Sequence, residues 1–317
     1  MRVILVLLAL FFGFLGLATP YSWHTLYPEP NTYGWNNTPV TVTLEASGGA
    51  GLQVCYILDN AGQVCQTPPV TITISSEGVH TLEYWAKDAT GEESHHFLTI
   101  KIDFTPPKIS VRVPEEDHKY FLHEKVQVDW VAYDRLSGLE FVDAAARPGE
   151  SLNTDSPGHQ TFWVLARDRA GNTARTEVDY RVICYIETVL ESGFYLDRLL
   201  PKEEQVLMWK FPLRARYSRG EPILIAFRLL DFYRQPGPWT RPNLLLTQVR
   251  PDPEFGERHT IWDWVFIPYD AEAGFYRLSY DTTGREPGVY ELWLDFGDSQ
   301  SQRIRVEILP ESKEEGS

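Results

Sequence analysis

The chain reads as an all-β protein, tandem β-sandwiches with three domains in a row after a signal peptide, and three observations predict it. Segments with β-branched or apolar residues at every second position recur along its length, the pattern of strands with one buried face. Gly and Pro, 22 of each, punctuate them at short intervals, which suits a sandwich or barrel rather than strands alternating with helices. The chain also repeats itself at a shift of 80 residues.

The first stretch, "MRVILVLLALFFGFLGLATP", sets Arg2 before an apolar run from Val3 to Leu17 and then small residues ending at Ala18. That arrangement reads as a secretory signal over 1–18, cut after Ala18. An uncleaved anchor is the alternative, although the run falls short of the roughly 20 residues that span a bilayer. The next residues, "YSWHTLYPEPNTYGW", carry Tyr21, Trp23, Tyr27, Tyr33 and Trp35 in a Pro-containing, strand-poor setting. Flat rings there either contact a ligand or lie down on the first sandwich as a cover, and the cost of exposing them favours the cover.

Strands are expected at Val40–Ala46, Val70–Ile74, Phe97–Ile102 and Lys108–Val113. Between Cys55 and Cys65 lies "YILDNAGQV", a strand, an Asp-Asn-Ala-Gly turn and the start of a return strand, so a hairpin brings the two sulfurs close enough for a disulfide, with two buried thiols as the alternative. Cys184 is left over, buried near a domain boundary. The stretch "FVDAAARPG" is the one candidate for a helical turn. In the repeat, "GVHTLEYWAKDATG" matches "GHQTFWVLARDRAG" at Gly78/Gly158, Thr81/Thr161, Ala86/Ala166, Asp88/Asp168 and Gly91/Gly171, one structural unit used twice. "DFTPPKIS" separates the copies, because Pro106 and Pro107 withhold two donors and stiffen the joint. The domains are accordingly drawn at 19–105, 106–184 and 185–310, followed by a polar tail over 311–317.

A formal charge of −15 without a Lys/Arg cluster argues against nucleic acid or an anionic membrane surface as partner. The acidic bends are expected to be turns. Asp168-Arg-Ala-Gly171-Asn172 offers only two oxygen-bearing side chains, whereas calcium takes about six to eight oxygens. A turn needs less: Asp168 bonding its own backbone, Gly171 at positive φ, Asn172 tolerating the same region. The twin bend keeps Asp88 and Gly91, and no metal or cofactor is expected.

These residues carry a resemblance. "GWNNTPVTVTLEA", "PPVTITISSEGVHTLEYWAKDATGEE" and "LTIKIDFTPP" resemble the bacterial Ig-like repeats of exported and cell-surface proteins, whose units open on Gly-Trp-x-Asn-x-Pro-Val and close on Asp-x-Thr-Pro-Pro. "YDRLSGLEFV" with "SPGHQTFWVLARDRAGNTARTEVDYRV" is similar to a second such unit, with its loops at Asp134–Gly138 and Asp168–Asn172. The likeness covers about residues 32 to 184, and 205 to 309 is more loosely similar to the C-terminal β-domains that accompany such repeats. It implies tandem Ig-like sandwiches and an extracytoplasmic place, and no activity. The first unit departs from it, lacking the Asn of the closing loop and adding a Cys pair.

No catalytic residues are expected. The eight His are scattered, and the neighbours His95 and His96 face opposite sides of a strand. A Ser, His and acid set could be drawn from such a list, yet no Gly-x-Ser-x-Gly elbow holds one. Alternation puts Leu82, Tyr84 and Ala86 inward and Trp85 outward; likewise Phe162, Val164 and Ala166 face inward, with Trp163 and Leu165 outward. The candidate ligand-contacting residues are therefore Trp23, Trp35, Trp85, Trp163 and Leu165. Trp262, Trp264 and Phe266 alternate on one face of "ERHTIWDWVFIPYD", and a packed sheet is the simpler account of that stripe. The expected function is a secreted or cell-surface, non-catalytic binding or spacer module, adhesive or structural, for a cell-surface protein, glycan or envelope component. An accessory extracellular enzyme, carbohydrate-active or proteolytic, is the alternative.

Overall fold

The computed structural model describes residues 19–190, 193–195, 216–298 and 300–310; the segment expected to be a signal, 1–18, and the tail 311–317 lie outside the described residues. All regular structure among them is β, and none of it is a helix long and apolar enough to cross a membrane. In chain order the strands are β1 Tyr21–Tyr27, β2 Val40–Ser47, β3 Gln53–Leu58, β4 Val64–Gln66, β5 Val70–Ile74, β6 Gly78–Asp88, β7 Gly91–Glu92 and β8 His96–Ile102. Then follow β9 Lys108–Val113, β10 Lys119–Phe121, β11 Asp129–Tyr133, β12 Leu139–Ala144, β13 Gly158–Asp168 and β14 Thr173–Ile183. The last are β15 Tyr185–Leu190, β16 Gly193–Tyr195, β17 Arg216–Ser218, β18 Ile223–Leu230, β19 Asn243–Asp252, β20 Gly256–Phe266, β21 Tyr269–Asp270, β22 Phe275–Tyr280, β23 Gly288–Asp295 and β24 Ser301–Leu309.

They form tandem β-sandwiches. The first pairs the sheet β1-β2-β5 with β4-β3-β6-β7, where β8 joins β6. The second has β10-β14-β13-β12 and the pair β11-β9, and the last has β16-β15-β18-β22-β21 and β17-β24-β23-β19-β20. By contacts the described chain divides into two compact units. One runs to Ile109 and adds Ala132–Asp143 and Leu165–Arg175; the other takes Ser110–Val131, Ala144–Val164 and the residues from Thr176 on.

Period-two alternation is what buries the cores. Val40, Val42 and Leu44 of β2 meet Val70, Ile72 and Ile74 of β5, Leu82 and Tyr84 of β6, and Ile100 and Ile102 of β8 in one cluster. In the last sandwich Ile223, Ile225 and Phe227, Leu244 and Leu246, and Tyr290, Leu292 and Leu294 are fully buried on the same principle. Each fully buried side chain of this size stabilises by roughly 1.5–3 kcal/mol. The repeat is visible as two strands of equal length, β6 and β13, 11 residues each, both opening on a positive-φ glycine, Gly78 and Gly158.

Two expectations are corrected. "FVDAAARPG" forms no helical turn: Phe141 to Ala144 extend in β12 and a turn follows, because its alternation of half-buried and exposed positions serves an edge strand. The N-terminal aromatic segment is not strand-poor either. Tyr21–Tyr27 pairs antiparallel along β2, with Trp23 opposite Glu45. In two sheets a three-residue strand lies parallel to the final long one, β10 beside β14 and β17 beside β24.

Candidate functional site

Asp59 and Asn60 at the tip of β3–β4 have φ of 51° and 59°, and Ala61 N donates to Leu58 O at 2.8 Å, closing a two-residue hairpin turn of the kind that suits strand twist. The connection continues to Gln63 before β4, and the β3–β4 ladder places Cys55 opposite Cys65, the two joined in a disulfide. Cys184 is buried, and burial pushes its thiol well above the usual range.

Beside this hairpin lies a Ser-His-Asp line. His80 Nδ1 is 2.7 Å from Asp59 Oδ2, and its Nε2 is 3.4 Å from Ser76 Oγ. Nε2 also stands 3.0 Å from the Ser76 carbonyl oxygen. The ring is thus held between the Asp59 carboxylate and the Ser76 main chain, with Nε2 closer to the Ser76 carbonyl than to its hydroxyl. The hydrogen bond from His80 is the main influence holding the Asp59 carboxyl below its usual range. The line ties the turn to β6. The remaining His also sit beside partners, His95 against Glu83 and Trp85, His96 against Glu93 and Tyr84, on opposite sides as alternation requires.

A nest of carboxylates sits where β8 ends. Asp103, Asp134 and Asp168 bring an oxygen each to within 4.8 Å of one another, the first and last fully buried. Backbone donors hold them: Thr105 N and Ser137 N on Asp103, Leu136 N and Gly138 N on Asp134, Gly171 N and Asn172 N on Asp168, at 2.7–3.1 Å. Asn172 Nδ2 spans Asp103 O and Asp168 Oδ2, both at 2.8 Å, and Asn31 Nδ2 reaches Arg169 O at 2.8 Å. Burial, aided by the Asp103 charge, raises the Asp168 carboxyl above its usual range despite those donors. Asp168 accepts from the Gly171 and Asn172 backbones and Gly171 has φ of 99°, whereas Asn172 is not at positive φ and acts through its side-chain amide. Counting ligands in one loop, however, missed Asp103 and Asp134. These three are the residues among those described that could hold a cation.

The candidate ligand-contacting residues are not brought together. Trp35 is buried at 8% exposure, and Trp23 is half-buried beside Tyr21, ring centroids 5.1 Å apart. Trp85, expected outward, is 3% exposed: it stands opposite Cys55 in the ladder and His95 stacks on it at 3.8 Å, so its outward face is covered. Its indole N–H is buried without an acceptor. Trp163 and Leu165 are half-buried.

Exposed rings occur on several elements, Tyr27 on β1, Phe97 on β8 and Phe255 before β20 among them, and Trp264, Phe266 and Trp293 on β20 and β23 share one sheet face. Leu244, Leu246, Leu292 and Leu294 point inward, which turns Leu245 and Trp293 outward. The register aligns Trp264, Leu245, Trp293 and Arg303 in one row across β20, β19, β23 and β24, with Phe266, Asn243, Asp295 and Ser301 in the next. Trp264 is 65% and Phe266 62% exposed, their rings 5.6 Å apart. The packed-sheet expectation for the stripe is thus corrected: β20 lies at the sheet edge and the outer face carries the rings. A register shift at Leu246/Thr247 leaves Trp262 out of line, its Nε1 donating to Gln248 Oε1 at 3.2 Å. Arg303 lies over Trp293 at 4.4 Å. A cleft of about 390 Å³ opens beside this face, with Phe266, Arg241, Tyr269 and Tyr276 in its wall.

No protein-family model and no curated protein matches the chain. Among solved structures it is similar to the fibronectin(III)-like modules of Clostridium thermocellum CbhA, at 14% identity over 50% of this chain and 93% of that one, TM-score 0.25. It is also similar to Sidekick-1 immunoglobulin domains 1–5, at 13% identity, 91% and 59% coverage and TM-score 0.31. Invasin, a bacterial integrin-binding protein, matches at 9% identity, 91% and 60% coverage and TM-score 0.28. At such scores these likenesses carry no argument, and the fold rests on the strands themselves.

Proposed function

We propose that the chain is an exported or cell-surface protein of Ig-like repeats that works by contact and spacing, without catalysis. The observation that carries this reading is the outer face of the last sheet, where Trp264, Phe266 and Trp293 stand in solvent on a rigid ladder rather than on a loop. Exposed clustered aromatics have a cost in water that a partner offsets. Export is supported by the N-terminal apolar run and by the Cys55–Cys65 bond, which persists outside reducing compartments. The absence of catalysis is supported by the tying of His80 to a carbonyl. In this reading the nest at Asp103 stiffens the joint between the first two repeats, and the domains divide near 105/106 and 184/185.

The test is retention without turnover. The chain from Thr19 on, displayed on a broad glycan array and against extracellular protein extracts, is expected to retain a partner and to release no product from glycoside or peptide substrates. Turnover lost in a His80→Ala variant overturns the reading.

A further inference from the structure

From the exposed rings we propose that the outer face of β17-β24-β23-β19-β20 binds an uncharged, extended β-1,4-linked glycan, laid across the strands with one end in the cleft beside Phe266. This rests on the reading of the chain as a binding module and names the ligand class.

Spacing is the first argument. Trp264 on β20 and Trp293 on β23 share a row and are separated by β19 alone, so the two rings stand two strand spacings apart, about 10 Å. An extended β-1,4-linked chain turns each sugar over relative to the last, and the same C–H face returns every second ring, at about the same interval. Rings held at that repeat meet alternate sugars of one chain. Phe266, 5.6 Å from Trp264, continues the platform and also walls the cleft of about 390 Å³, of a size to take a terminal sugar.

Charge is the second. Arg305 grips Glu257 through two bonds of 3.0 and 2.7 Å and lies 3.5 Å from Glu291, while Arg303 lies 3.9 Å from Glu291. Arginine holds the Glu257 carboxyl below its usual range. These arginines and glutamates are thus matched with one another on a chain of net charge −15, and an uncharged ligand breaks no pair among them. These pairs lie beside the row of rings, on β24 and towards the start of β20, while Leu245 alone stands between Trp264 and Trp293. Asn243 and Asp295, beside the rings, offer a donor and acceptors to sugar hydroxyls.

Calorimetric titration of the chain from Thr19 on with hexaoses of β-1,4-linked glucose, mannose and N-acetylglucosamine tests this. Binding of at least one is expected, weakened about tenfold by Trp264→Ala or Trp293→Ala, less by Phe266→Ala, and unchanged by Trp23→Ala. Circular dichroism verifies that these surface variants fold; quenching of tryptophan fluorescence by ligand in the unaltered chain supplies an independent readout. Binding that ignores both Trp264 and Trp293 overturns the proposal. So does binding of none of the hexaoses, and if the array still retains another partner the binding-module reading survives that failure. Concentration-dependent self-association abolished by Trp264→Ala also overturns it, giving the face to a second copy.

Discussion

Asp88 and Asp168 end strands of the same length at equivalent places in the repeat, yet they live differently. Asp88 caps its own bend: Thr90 Oγ1 and N donate to Oδ1 at 2.6 and 2.7 Å, and Gly49 N donates to Oδ2 at 2.6 Å, near solvent. Those bonds, the Thr90 hydroxyl first, hold its carboxyl below the usual range. Asp168 uses the same kind of backbone bond, but it is fully buried and faces Asp103, and its carboxyl is raised. The lesson is that the motif specifies a bend, whereas the neighbours decide whether the charge is welcome. One letter serves as a local cap at one bend and as a buried, cross-bonded carboxyl at the other.

The largest break in this comparison should come from Asp168→Ala. It strands the donors of Gly171, Asn172 and the Asn172 amide, and a loss of about 2 to 4 kcal/mol is expected in denaturant melts. Asp88→Ala should cost visibly less, since water can replace the carboxylate there. Equal losses would sink the distinction.

Next comes an exchange at the repeat position shared by Trp85 and Leu165. Trp85→Leu should lose about 2 kcal/mol, because the buried ring and its stack on His95 go while an unpaired N–H is relieved. Leu165→Trp, at a half-buried site, should change stability by less than half of that. The shared part of the motif is tested by Gly91→Ala and Gly171→Ala. Both glycines have positive φ, 142° and 99°, and each substitution should cost about 1 kcal/mol.

The finest test is acidity. A raised Asp168 means that the native state binds the proton more readily, so its contribution to stability grows as pH falls through the raised value towards 3.8 and is lost as pH rises across that window. A lowered Asp88 contributes above 3.8 and loses that contribution as pH falls below it. Melting temperatures of Asp88→Asn and Asp168→Asn, each minus the unaltered chain, should therefore slope in opposite directions across acidic pH. Parallel slopes would place the two carboxyls in the same environment.

How much could be read from the letters follows the same division. Val70–Ile74 and Lys108–Val113 coincide with β5 and β9 because period two is a local property. The Asp-Asn turn was readable because φ preference is local too, and the hairpin it begins pairs Cys55 with Cys65. Burial of Trp85 was not, since alternation names a side and is silent about a His several residues away lying over it. Nor could one loop announce that Asp103 and Asp134 meet Asp168, which required the chain to return from 69 residues away in the case of Asn172 and Asp103. The aromatic face escaped for a related reason: a stripe on β20 looks alike whether its side is the core or the outside, and only the inward leucines of β19 and β23 decide it.

The parallel seating of β17 beside β24 has a mechanical consequence. A pull that enters at Arg216 and leaves at Leu309 draws these two strands past each other lengthwise, so the rungs between Arg216 and Glu307, Tyr217 and Ile308, and Ser218 and Leu309 are strained together instead of opening one at a time. A sandwich clasped this way resists tugging far better than its few terminal bonds would if they were peeled.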